Sequence, residues 1–537
     1  MMNDAGDDRT LDVMRKHTSA LMALHYAFFR LLYRMITLQF ARMLFAFTFF
    51  GAFTDLQMAL FSALPGPLTN LYNITLINHY GVELTPTMLS TIPTIASIST
   101  AAGTLSGVIW ILPLMDSKGR KFVAVHLRCA LGVISCLLQG FGGWLGCAEL
   151  FIVGQLLLGL SIPIKQIAVA LFLTECAPDK NRGFASVTLH LGDVVASLLM
   201  YWMCLPTVLG SNIHWPLIPG IAALLCLLLY VATVSIPDSP KWLVRKGEKT
   251  LAAKAMTFYH GTKEDQQKAM TSVCLETQLT SDKNMNIRVA WRDETVRQAM
   301  KVIMAIQLMF TLSPLPLEKA YSVVLHTTLG LTVEQSLTLS WLSTFLFFPL
   351  SFISTFAIDK FGRRPIVFIA AIIIFLKILA MFTAQLLVYF MSPSWITLLI
   401  ATANEFASDL IYSIGAGAVA SLLIAELVPP AARVAVAQML LFIPMASTIP
   451  TTTTFPVVNA LFGPAIYLPM LVAQPLLVGF LIRNLPETKQ KAVYEIVHNF
   501  EEEVRSRANT HLSERTPLLK SRAGTLRSAA ASVSIVH

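Results

Sequence analysis

The chain has 537 residues, 55% apolar and only 13% charged, with 40 Lys and Arg against 31 Asp and Glu for a net charge of +9. That balance excludes an ordinary soluble globular protein, whose surface would be left apolar and poorly solvated, so lipid is the expected solvent and partner. The excess positive charge forms no basic stripe with interleaved aromatics, which argues against a nucleic-acid partner.

A helix of roughly 20 apolar residues crosses a bilayer. Twelve such segments are read at 37–62, 87–115, 122–145, 148–174, 184–207, 215–236, 298–327, 333–358, 365–391, 395–427, 432–454 and 460–483. They predict an all-α membrane protein: an amino-terminal segment 1–36, a six-helix bundle 37–236, a linker 237–297, a second six-helix bundle 298–483 and a tail 484–537.

The first 36 residues carry Asp4, Asp7, Asp8 and Asp12 and no small-residue cleavage site behind a short apolar core, so they are read as retained. The segment 63–86 after the first span holds no Lys or Arg, whereas twelve basic residues run from Lys241 to Lys301. The positive-inside rule then places the linker and both termini in the cytosol. Asn73-Ile74-Thr75, a glycosylation sequon, falls on the expected outer side. Most of the seven cysteines lie within spans and only Cys147 is near an outer loop, so no outer disulfide is implied.

The loop after span 2 reads Asp116-Ser117-Lys118-Gly119-Arg120-Lys121, and its counterpart after span 8 reads Asp359-Lys360-Phe361-Gly362-Arg363-Arg364, 243 residues later. After span 4, Glu175 and Arg182 flank Pro178; after span 10, Glu426 and Arg433 flank Pro429 and Pro430, 251 residues later. Pro237-Asp238-Ser239-Pro240-Lys241 closes the first six spans, and Pro486-Glu487-Thr488-Lys489 closes the second six, an offset of 249. Three ordered motifs repeating at similar offsets mean duplication, and two like halves joined by a long linker suit alternating access around a central site. Gly119 and Gly362 permit tight turns, and the flanking Arg and Asp can pair with acids at neighbouring helix ends.

Within the spans, Lys165 lies ten residues before Glu175 and Asp193 eleven after Arg182, both about 15–17 Å from the helix ends. Spans 4 and 5 are antiparallel neighbours, so Lys165 and Asp193 can pair, with His190 one turn away on the same face. Such a cluster marks either a solute or proton path or a closed structural ion pair. Asp55, Glu318, Lys319, Lys377, Glu405 and Asp409 also lie in or near spans, without a pattern that assigns them a role.

From about residue 40 to 490 these motifs resemble the sugar porter family of the major facilitator superfamily, the group that includes the facilitative glucose transporters. Gly119-Arg120-Lys121 and Gly362-Arg363-Arg364 match its paired Gly-Arg-Arg loops; Pro237 to Leu243 and Pro486 to Lys489 match its Pro-Glu-Ser-Pro-Arg and Pro-Glu-Thr-Lys signatures. The resemblance implies that Arg182 pairs with Asp238 and Arg433 with Glu487. It also implies that Glu175 and Glu426 join the same cytosolic gate as Asp116, Arg120, Asp359, Arg363 and Arg364.

The cavity departs from that pattern. His190 stands where the family commonly has a sugar-contacting Gln, Phe347 where it has Asn, and Gln155 where it has Arg. The Gly-Pro-Gly-Pro-x-Pro-Trp run reads Gly415-Ala416-Gly417-Ala418-Val419-Ala420-Ser421, the Asn-Trp pair of span 11 reads Leu441-Phe442, and of a Gln-Gln pair only Gln307 remains. Phe61 occupies the place of the usual proton-coupling Asp. Candidate substrate contacts are therefore Lys165, His190, Asp193, Gln307 and Ser421, and a hexose is a poor fit.

The tail carries Glu514-Arg515-Thr516-Pro517-Leu518-Leu519, which resembles an acidic dileucine signal read by clathrin adaptors. It leaves endosomal or lysosomal membrane and plasma membrane both open. No nucleophile–base pair, metal-ligand spacing or phosphate-cradling loop stands out, so neither an enzyme nor a cofactor is expected. A small-solute transporter is the leading reading; a non-transporting receptor or scaffold and an organic ion carrier are the rivals.

Overall fold

Apolar helices whose neighbours are also apolar can bury a side only against one another, and the computed structural model arranges this chain in two helical units, Met1–Leu279 and Thr280–His537. The structure describes residues 38–83, 85–177, 182–260, 267, 270–271, 273–274, 287–428 and 432–486. The calls at Glu487, Glu514, Leu518 and Leu519 lie outside them.

In the first unit, α1 (Leu38–Phe49) and α2 (Phe53–Ala63) make up the first span, and α3 (Pro65–Thr75) continues the chain beyond it. The following spans are α4 (Pro86–Ser106), α5 (Arg128–Leu145), α6 (Ala148–Pro163) with α7 (Ala170–Cys176), α8 (Arg182–Met203) and α9 (Leu217–Thr233). Two short helices, α10 (Pro240–Arg245) and α11 (Lys249–Tyr259), begin the linker. Glycine sets the closest contact: a β-carbon on Gly159 of α6 would fall 2.2 Å from the Thr100 carbonyl oxygen of α4, and one on Gly103 would fall 2.1 Å from that of Leu156. Only backbone-to-backbone packing fits there.

In the second unit the spans are α12 (Glu294–Thr311) with α13 (Leu315–Thr328), α14 (Val333–Phe361), α15 (Arg363–Phe390), α16 (Trp395–Ser413) with α17 (Val419–Leu427), α18 (Arg433–Phe462) and α19 (Leu468–Asn484). Helix α16 packs on both α14 and α15, and α13 on α14 and α18. Six helical runs among the described residues are long and apolar enough to cross a membrane, the most apolar being Arg363–Phe390. Their outward faces carry exposed Trp110, Leu145, Ile372, Leu376 and Leu476, which need lipid rather than water.

Several spans are interrupted. A wide π-type turn, Ile164–Val169, follows Pro163 and carries Lys165. Span 7 breaks at Leu312–Pro314 and again at Tyr321, whose φ −137° and ψ 32° are not helical. Span 10 breaks at Gly415, φ 76°, although alanines replace the prolines of the resembled family's hinge.

Candidate functional site

The loop motifs assemble one charged cluster in each unit. Gly119 takes φ 109°, and a β-carbon on it would fall 2.2 Å from Asp238 Oδ2, so the turn and the contact both require glycine. Beyond that turn the Arg120 side chain is only 3% exposed; its Nη1 donates to Asp116 Oδ1 at 3.0 Å and to the Met115 carbonyl at 2.8 Å, and its Nε to Glu175 Oε2 at 3.2 Å. Glu175 also accepts from Ser239 Oγ and faces Arg245 Nη2 at 4.0 Å. Asp238 Oδ1 accepts the backbone N–H groups of Lys121 at 3.0 Å and Ser239 at 2.7 Å. Burial pushes the Asp238 carboxyl above its ordinary range, against the opposing pull of those N–H groups and of the Arg120 charge.

The second unit repeats the construction. Gly362 takes φ 94°, Arg363 Nη2 donates to Glu426 Oε1 at 2.9 Å, and Arg364 Nη2 donates to the Ile482 carbonyl at 3.0 Å. The pairs Arg120–Glu175 and Arg363–Glu426 are thus equivalents in the duplication. The side chains of Arg182, Asp359 and Arg433 lie outside the described residues, as does Glu487, so the inherited Arg182–Asp238 and Arg433–Glu487 pairings are not seen.

Deeper in the first unit, Lys165 Nζ donates to Asp193 Oδ1 at 2.6 Å, joining the π-type turn to α8. The His190 side chain is outside the described residues. A second deep cation escaped the sequence reading: Arg128 at the start of α5, 1% exposed, donates to the Gly51 carbonyl at 2.8 Å and Thr54 Oγ1 at 3.2 Å and lies over the Phe53 ring. Its position eight residues beyond Arg120, inside span 3, was the available signal.

An extended buried polar network lies in the second unit, among residues to which the sequence assigned no role. Lys377 Nζ on α15 donates to Glu318 Oε2 on α13 at 2.8 Å and to the Asn404 carbonyl on α16 at 2.9 Å, with Ser408 alongside. Asn404 Nδ2 donates to Glu318 Oε1 at 2.5 Å. Next to Asn404 in sequence, Glu405 accepts from Ser340 Oγ at 2.5 Å and lies 3.5 Å from His326 Nε2, while His326 Nδ1 is 2.7 Å from Ser336 Oγ. Of the proposed substrate contacts, Gln307 sits half-buried on α12 and the Ser421 side chain is not described. Phe347 packs its ring 6.2 Å from that of Phe406.

Asn73 sits half-buried in the last turn of α3. Thr75 of the sequon has a structural task of its own: its hydroxyl donates to the Gly146 carbonyl at 2.7 Å and accepts from the Ala148 N–H at 2.8 Å. Nearby, Glu149 receives His79 Nδ1 at 3.0 Å, the Tyr80 hydroxyl at 3.1 Å and Cys147 Sγ at 3.1 Å. His79, Cys147 and Glu149 are a group whose donor atoms, all within 4.8 Å of one another, could hold a metal ion; here they stitch the segment after span 1 to the turn before α6.

Two duplicated helical halves, multi-pass in composition and each with an Arg–Glu pair under a glycine turn, define a membrane carrier rather than an enzyme. The chain belongs to the family described as Sugar (and other) transporter, whose model matches residues 40–500. It is 23% identical to chicken (Gallus gallus) facilitated glucose transporter member 3 over 81% of this chain and 86% of that protein. It is 27% identical to a high-affinity glucose transporter of Kluyveromyces lactis over 52% of this chain and 50% of that one. Its fold matches the xylose transporter XylE from E. coli in a partially occluded inward-open conformation, with a TM-score of 0.64 at 16% identity over 84% of this chain and 99% of that one. The major facilitator proton:xylose symporter XylE bound to 6-bromo-6-deoxy-D-glucose gives 0.62 at 17% identity over 85% and 99%. The protein is therefore an integral, multi-pass transporter of the major facilitator fold.

Proposed function

We propose that this protein moves a small organic solute by alternating access, with the two loop-borne Arg–Glu clusters forming a cytosolic gate. The observation that carries the reading is the repetition of Arg120–Glu175 as Arg363–Glu426, since equivalent pairs in two halves can hold one side closed and part together. The basic linker puts this side and both termini in the cytosol, and Asn73 outside, where it is a glycan acceptor. The tail signal around Glu514, Leu518 and Leu519 directs the carrier to endosomal or lysosomal membrane through clathrin adaptors.

The cargo differs from a hexose. Each sugar hydroxyl left without a partner costs about 1–3 kcal/mol, and the aromatic contact of Phe347 with Phe406 supplies none. The Lys165–Asp193 pair, in which the Asp193 side chain is 46% exposed, instead suits a solute bearing charge or few hydroxyls. The test is thermal stabilisation of the purified protein against sugars, organic acids, organic cations and nucleosides, followed by uptake of any hit into proteoliposomes. A ligand at a hundredfold its Kd adds about 2.7 kcal/mol to the native state. A concentration-dependent hit whose uptake falls in Lys165→Met and Asp193→Asn is expected; no stabilisation and no uptake across the panel would sink the reading.

A further inference from the structure

Glu318 has a cation of its own in Lys377, 2.8 Å away, and both are almost fully buried. Glu405, 7% exposed, is a second carboxyl in the same helical interior; among the described residues its polar contacts are the Ser340 hydroxyl and the His326 ring. A carboxylate buried without a paired cation costs several kcal/mol and takes up a proton instead. We propose that Glu405 is a proton-binding site of this carrier, and that a proton bound there travels with the solute; this rests on the transport reading above.

The hydrogen bonds around it admit two self-consistent proton arrangements. In the first, the Ser336 hydroxyl donates to His326 Nδ1, and His326 Nε2–H donates to an ionised Glu405. In the second, His326 Nδ1–H donates to Ser336 Oγ, and a protonated Glu405 donates its O–H to Nε2. Binding a proton forms the O–H bond on Glu405 and inverts the imidazole tautomer, and release reverses both. The imidazole need never carry charge. Among the described residues the charged or ionisable groups that act on the pair are Glu318 from α13, Lys377 from α15 and Asp409 from α16. From α14 the contacts are the hydroxyls of Ser336 and Ser340, while Thr344 donates to Asp409 Oδ2 at 3.2 Å.

A link to conformation comes from the break at Tyr321. It separates Glu318, fixed to Lys377 and Asn404, from His326 about two turns further along α13. A hinge there lets His326 move relative to Glu405 while the ion pair stays closed, so proton affinity follows the position of the outer part of α13. This places proton coupling far in sequence from Phe61, where the usual carboxylate is missing.

Infrared spectroscopy of the protein in lipid nanodiscs tests the site without any solute. At neutral pH the wild type should show the carbonyl stretch of a neutral carboxylic acid, moving on transfer to heavy water. Glu405→Gln should lose that band and His326→Gln should shift it. A spectrum unchanged by Glu405→Gln overturns the site; should that variant fail to fold, Glu405→Asp must displace the band, and an unmoved band is equally fatal. In vesicles loaded with a pH-sensitive dye, a transported member of the solute panel should drive proton movement that Glu405→Gln abolishes. Solute uptake without proton movement, or proton movement surviving in the variant, overturns the coupling. If no solute is taken up, the transport reading fails and the infrared arm alone decides the proton site.

Discussion

Lys377 and Glu318 illustrate what a single side chain does in this protein. Removing the cation alone leaves a carboxylate buried between α13 and α16, a change that typically costs about 3–5 kcal/mol. Lys377→Met is therefore expected to lower the thermal midpoint in detergent sharply, whereas Lys377→Met with Glu318→Leu should recover most of it, because two apolar groups need no partner. A double variant no more stable than the single would show that the pair is not the relevant unit. Asp238 makes a second test at this scale. Its carboxyl pKa is raised in the folded protein by burial, so the native state holds the proton more tightly than the unfolded chain. That contribution is complete below the unfolded value of about 3.9 and is lost as pH rises through the folded value. Asp238→Asn should thus flatten the fall in thermal midpoint from acid toward neutral pH; an unchanged slope would refute the assignment. Residues attached to a motif were legible from sequence, as when counting from Glu175 and Arg182 brought Lys165 opposite Asp193. The buried network was not, because residues 318, 326, 340, 377, 404 and 405 come from four helices and share no local pattern.

At the scale of elements, the α4–α6 contact depends on the absence of side chains. Gly159→Val would place a β-carbon 2.2 Å from a backbone oxygen, and neither helix backbone can give way by so much without losing the contact. Yield of folded protein and thermal midpoint should both drop. Gly220→Ala on α9 is the control: nothing lies within 4 Å of its β-carbon position, and the gain in helix propensity predicts a midpoint equal to the wild type or slightly higher. Equal effects of the two substitutions would remove close packing as the cause. Hydropathy placed every span on helical structure but read each as continuous. The breaks at Tyr321 and Gly415 are set by tertiary contacts and a left-handed glycine, which a window of average hydropathy cannot register. At Gly415 alanines stand where the resembled family has hinge prolines, yet span 10 is still interrupted at the glycine.

For the whole molecule, duplication supplies a way to distinguish a local lesion from a shift between carrier states. The Glu175→Gln variant removes one charged partner of Arg120, a side chain 3% exposed, and Asp116 remains to bind it. A loss of about 1.4 kcal/mol from the gate-closed state changes the ratio of states tenfold. If the equivalent pairs act together in alternating access, hydrogen exchange should rise around 115–121 in the first unit and also around 362–366 in the second, although no residue there was altered. Glu426→Gln should give the reciprocal pattern, because a single equilibrium between states responds to either half. A rise confined to the unit that carries the substitution would mean that each pair only fastens its own helix ends, and the two clusters would then be anchors and not a gate.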